Sequence, residues 1–192
     1  MENVGEYLGF GSLWLQVVIV AVVTFIASAI FWTIAPWHRT EFKALPNEDA
    51  VRKALHDQGV TEGQWRIPFS ENCEDFKKPE FLKLFETGPV GLIQLETPAP
   101  MTMGYRLVET FAFYFFVAFF TAYCLRQAFP TGAEYMRVFQ LAGGISLAAH
   151  GFGHIQDNIW FAKSCRRVTL QVMDSVVYAL LTAGIFASMW PK

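Results

Sequence analysis

The feature that most constrains this chain is a run with no charged residue between Glu6 and His38. Within it, Leu13 to Pro36 reads LWLQVVIVAVVTFIASAIFWTIAP, twenty-four residues that extend about 36 Å as a helix. A bilayer's hydrocarbon core is about 30 Å thick, so the segment crosses it with some tilt. Cleavage as a signal peptide is the rival reading, because Ala27-Ser28-Ala29 has the pattern of a processing site. The leading segment, however, carries Glu2 and Glu6 and no Lys or Arg, and the apolar stretch runs on past that site. The span is expected to stay.

Three further uncharged blocks succeed it: Thr110 to Leu125, Val138 to Gln156, and Ser175 to Pro191. Trp14, Trp32, Trp37, Trp160 and Trp190 stand near the expected span ends, where amphipathic rings settle at the interface. The blocks are too continuous for the alternating strands of a barrel, which leaves helices as the means of satisfying the backbone in lipid. Composition agrees: 53% of residues are hydrophobic and 17% charged, against about a quarter charged in soluble domains. An ordinary soluble enzyme and a disordered tail are thereby excluded. The three cysteines, Cys73, Cys124 and Cys165, form no CxxC pair and are odd in number, which speaks against a disulfide framework. A net charge of −2 offers nothing to nucleic acid.

The expected fold is an all-α integral membrane protein, a bundle of four transmembrane helices with a small αβ cap between the first two. Residues 1–37 hold the N-terminus and first helix, 38–106 the soluble cap, and 107–192 the remaining helices. Lys and Arg are distributed unequally over the two ends. Arg39, Lys43, Arg52, Lys53, Arg106, Lys163, Arg166 and Arg167 lie on one side, and Arg126, Arg137 and Lys192 on the other. The positive-inside rule then puts the 38–106 loop in the cytoplasm of a bacterial cell, with both termini outside the inner membrane.

The 38–106 loop is too long to be structureless in a compact protein. Asn47 is a helix N-cap, with Glu48 and Asp49 next at the positive end of the dipole, and Gly59 ends that helix. Pro79 opens a second helix closed by Gly88-Pro89. Trp65 to Phe69 and Val90 to Glu96 are expected to pair as a ribbon. The stretch Pro36 to Pro46, PWHRTEFKALP, is distinctive, with His38 closing the first span.

Inside the membrane blocks the chemistry concentrates on a few residues. On the third span Leu141, Ile145, Ala148, Phe152 and Ile155 form an apolar stripe, and the opposite face carries Gly143, Ser146, Leu147, His150, Gly153, His154 and Asp157. On the fourth, Ala179, Ala183 and Ala187 make a ridge of small residues for close packing, with Gly143 and Gly144 expected at the contact. Thr110, Tyr114, Val117 and Thr121 give the second span its bundle-facing stripe. His150 and His154 are an HxxxH pair one turn apart, a spacing that serves a divalent metal site, a proton relay or plain hydrogen bonding. The sequence HGFGH lacks the glutamate of a zinc protease. Asp174 and Glu109 fall at the same depth, so His150, His154, Asp174 and Glu109 form the candidate metal set. Ionisable groups are expensive in lipid and tend to pair or to serve function.

Nucleotide and nucleophile motifs are absent. The sequence therefore favours a small accessory, scaffolding or assembly subunit working through contacts with lipid, with other membrane subunits or with its own copies. The alternative is a metal- or proton-dependent membrane enzyme or permease built on the His/Asp cluster.

Overall fold

The computed structural model describes residues 9–100, 102–161 and 163–192, so the segment carrying Glu2 and Glu6 lies outside the described residues. Helix α1, Trp14–Ala29, runs without a break into a π turn, Ile30–Ile34, and then a 3₁₀ turn, Pro36–Thr40. The cap comes next: α2 Glu48–Asp57, β1 Gly63–Ile67, α3 Pro79–Thr87 and β2 Gly91–Leu95. Helix α4 is Met103–Ala128. Helix α5, Tyr135–Leu147, passes through a second π turn, Ala148–Phe152, into α6, Gly153–Phe161. Helix α7, Cys165–Ser188, completes the bundle.

Among the described residues, three helices are long and apolar enough to cross a membrane: Trp14–Ile34, Met103–Ala128 and Cys165–Ser188. The third expected span is a composite of α5, a π turn and α6, and neither α-helical piece reaches the length of a span by itself. A π turn adds one residue to a helical turn and so rotates the residues beyond it relative to a regular α-helix. Each of the two π turns supplies a side chain, Trp32 from the first and His150 from the second, to the wall of one cavity.

Apolar packing holds the far end of the bundle. Leu13, Val17 and Val20 of α1 meet Ala118, Ala122 and Leu125 of α4, Val138 and Ala142 of α5, and Ala183 and Phe186 of α7 in one core. Long-range hydrogen bonds tie the chain there. The Gln16 amide donates to the Met189 carbonyl at 2.9 Å, the Trp190 indole N–H to the Pro130 carbonyl at 3.0 Å, and the Gly132 N–H to the Pro191 carbonyl at 2.8 Å. The alanine ridge of α7 is buried along its length and faces α5. Of the two adjacent glycines, Gly143 makes that contact: a Cβ built on it would sit 3.3 Å from the Ala183 Cβ. Gly144 is exposed, and a Cβ there meets nothing within 4 Å, which corrects the expectation that both lie in the seam. One residue along a helix is a rotation of about 100°, enough to turn a side chain from contact to open space.

On α4, Tyr114, Ala118, Thr121 and Leu125 are buried, whereas Phe113, Phe116, Phe119 and Phe120 point outward, as suits a lipid-facing surface. In the cap, the Asn47 side chain accepts from the Ala50 N–H at 3.1 Å, and Gly59 takes a positive φ of 68° to end α2. The ribbon is antiparallel, pairing Gly63 with Leu95 and Ile67 with Gly91. Its strands thus sit within two residues of the expected segments.

Candidate functional site

Where α1 ends, the chain needs a sharp redirection, and Ala35-Pro36 supplies it: Ala35 is extended, and Pro36 opens the 3₁₀ turn. The turn points His38 inward, where its ring is buried. Its plane stacks on Trp32 with a centroid separation of 4.3 Å and an interplanar angle of 10°. Nδ1 lies 2.6 Å from Glu41 Oε1, and Nε2 lies 2.8 Å from Asp174 Oδ2 on α7. Arg167, two turns before Asp174, ion-pairs with the other oxygen of Glu41 at 3.1 Å and lies over the Phe42 ring at 4.8 Å. The His38 and Glu41 side chains are 2% and 0% exposed.

Hydrogen counting constrains this group. A neutral imidazole has one N–H and one lone pair, and here both ring nitrogens face carboxyl oxygens. Either the ring carries both hydrogens, or one carboxyl group carries the second. In the first arrangement the Glu41, His38, Asp174 and Arg167 charges sum to zero. A neutral, internally paired network is the form in which charges survive burial.

Beside this network lies a cavity of about 400 Å³, lined by residues of all four helical runs. Asp174 and Trp32 belong to both. His150, in the second π turn, contacts Phe113, Tyr114 and Tyr178 with ring centroids 5.5, 5.5 and 5.4 Å away. Ser175 holds that turn in place: its hydroxyl lies 2.9 Å from the His150 carbonyl and 2.7 Å from the Gln171 carbonyl. His154 and Asp157 are half-buried on the cavity wall, and Lys163 reaches Asp157 Oδ2 at 2.5 Å from outside the lining. Two lining groups are left without a partner. Gln171 Oε1 and the Tyr178 hydroxyl are buried and make no hydrogen bond among the described residues, although the Tyr178 hydroxyl lies near those of Ser28 and Tyr114. Gln171 and Tyr178 are 7% and 5% exposed.

The candidate residues divide accordingly. His150, His154 and Asp174 line one cavity, and Asp157 joins them. Glu109 does not: it is exposed on α4, and its neighbour is Tyr105. It precedes the inward stripe beginning at Thr110 by one residue, and so points about 100° away from it. Among the described residues, no three His, Cys, Asp or Glu side chains come close enough together to hold a metal ion. The histidine bonded to Asp174 is His38, not one of the HxxxH pair. Glu41 escaped the sequence reading altogether. Its spacing of three from His38, inside a distinctive run, was the available signal.

No family model, curated protein or solved structure matches this chain. Geometry alone carries the functional reading.

Proposed function

We propose that this is a four-span membrane protein that binds a small polar molecule in the cavity at the positively flanked end of its bundle. The observation that carries the reading is the pair of buried, unpartnered groups, Gln171 Oε1 and the Tyr178 hydroxyl, on the wall of one cavity. Leaving a buried polar group unsatisfied costs about 1–3 kcal/mol. Binding sites accept such costs, and a ligand or ordered water offsets them. The volume falls in the range of small-molecule pockets, about 300–1,000 Å³. A π turn at His150 fits too, since such turns gather at functional sites. This reading develops the membrane enzyme or permease alternative, with the His38–Glu41 pair bracing the pocket wall from behind through Asp174.

The test compares stability without ligand. Tyr178→Phe removes an unsatisfied hydroxyl and little else, so the variant should melt at the same temperature as the parent or higher in detergent. A loss exceeding about 1 kcal/mol, the size of an ordinary hydrogen bond, would mean that the hydroxyl is satisfied in the native state. The pocket would then lose its main support.

In this reading the cavity and the cap face the cytoplasm of a bacterial inner membrane, which the excess of Lys and Arg at that end of the bundle supports. Cys73 and Cys165 are exposed at that end. A membrane-impermeant maleimide should leave both unlabelled in intact cells and label them once the membrane is opened. Labelling of Cys73 in sealed cells would reverse the orientation.

A second reading, an accessory subunit acting through partner contacts, is favoured by the cap. Helices α2 and α3 bury no residue, and Trp65, Phe69, Leu82 and Leu84 are exposed. Purification in a mild detergent separates the two: a stoichiometric partner complex supports the second, a partner-free protein the first.

A further inference from the structure

We propose that the ligand of this pocket is a small organic ammonium ion with an apolar, ring-sized body, an inference that rests on the pocket proposed as the binding site and names its ligand class. Among the described residues, the lining contains two carboxylates, Asp157 and Asp174, and neither Lys nor Arg. Lys163 and Arg167 each ion-pair with a carboxylate, His38 is hydrogen-bonded to Asp174, and none of the three belongs to the lining. A carboxylate has about four lone-pair sites, so a bond to Lys163 or His38 leaves room for a further N–H donor. Gln171 Oε1 is a buried acceptor with no donor, and an ammonium supplies three or fewer N–H groups to such oxygens.

The apolar part of the wall points the same way. Trp32, Phe113, Tyr114 and Tyr178 contribute aromatic rings, whose faces carry the negative part of the quadrupole and attract cations. Trp32 and Phe113 are 44% and 49% exposed, which makes them the rim, while Tyr114 and Tyr178 are buried deeper in the wall. An anion would meet two carboxyl groups with no Lys or Arg in the lining, and a neutral molecule would leave their remaining lone pairs and the ring faces unused. The chemistry selects for positive charge.

The experiment uses the full chain in lipid nanodiscs, with empty nanodiscs as the blank for partitioning. Three probes of one shape are titrated by calorimetry and tryptophan fluorescence: phenethylammonium, 2-phenylethanol and 3-phenylpropionate. The ammonium should bind at least tenfold more tightly than the alcohol, and the carboxylate more weakly still. Asp157→Asn, at a half-buried position where folding is at less risk than at Asp174, should shrink the ammonium-to-alcohol affinity ratio at least threefold. Equal affinities for ammonium and alcohol would overturn the cation assignment and leave the pocket standing. Absence of binding by all three probes at millimolar concentration would count against the pocket as well.

Discussion

Alanine in place of His38 is expected to remove about 3–5 kcal/mol of folding stability, the cost of breaking a buried ion network by deleting one partner. The deletion leaves Asp174 without its 2.8 Å partner and leaves Glu41, whose side chain is fully buried, with Arg167 alone. Stacking against Trp32 is lost as well. Asp174→Ala should cost a similar amount, because it strands the imidazole. The double variant should cost at least about 1 kcal/mol less than the sum, since groups in one hydrogen-bond network are coupled. Lys78→Ala provides the control. Lys78 pairs with Asp75 but is 62% exposed, and such surface pairs contribute about 1 kcal/mol or less. Unfolding in mixed detergent micelles measures all four variants, and a His38→Ala loss no greater than that of Lys78→Ala would refute the network's structural role.

The second large effect is steric. Gly143→Leu forces a branched side chain into a seam where even a Cβ lies 3.3 Å from the Ala183 Cβ, with the Ala179 carbonyl oxygen at 3.8 Å. Overpacking of this kind costs about 1–3 kcal/mol, and the upper end applies where both walls are helix backbone and alanine. Gly144→Leu adds the same atoms one residue later, into open space. It should change stability by no more than about 0.5 kcal/mol, the range of surface substitutions. Melting temperatures of the two variants in one detergent decide the matter, and equal shifts would place the α5–α7 seam elsewhere.

Those two glycines illustrate how far the sequence could be read. Membrane character, the alanine ridge of the last helix, and the cap were legible because each depends on local chemistry. Asn47, Gly59, Pro79 and Gly88 act within a few residues of themselves. Asp174, His150 and His154 were conspicuous because titratable groups stand out in apolar blocks. Two kinds of information were missing. Rotation about a helix axis is set by tertiary contacts, and an error of one residue separates Glu109 from Thr110 as it separates Gly144 from Gly143. The π turn at Ala148–Phe152 adds a local change of period that an α-helical pattern does not contain. The second gap is long range: His38 and Asp174 are 136 residues apart, and no spacing rule joins them. Glu41, read as part of a loop, became visible only when the turn after α1 brought it against Arg167 of α7.

The most direct test of the binding cavity is whether water-soluble reagents enter it. Gly153 lines the cavity and a Cβ on it meets nothing within 4 Å, whereas its neighbour Phe152 is 59% exposed and outside the lining. With Cys73, Cys124 and Cys165 replaced by serine, Gly153→Cys and Phe152→Cys are compared in inside-out vesicles with a charged methanethiosulfonate carrying an ammonium group. The two positions lie at nearly one depth and differ in the face they occupy. Modification of Gly153→Cys at least tenfold faster than Phe152→Cys is the expected result; equal rates at the two positions would contradict a water-filled, ligand-accepting cavity.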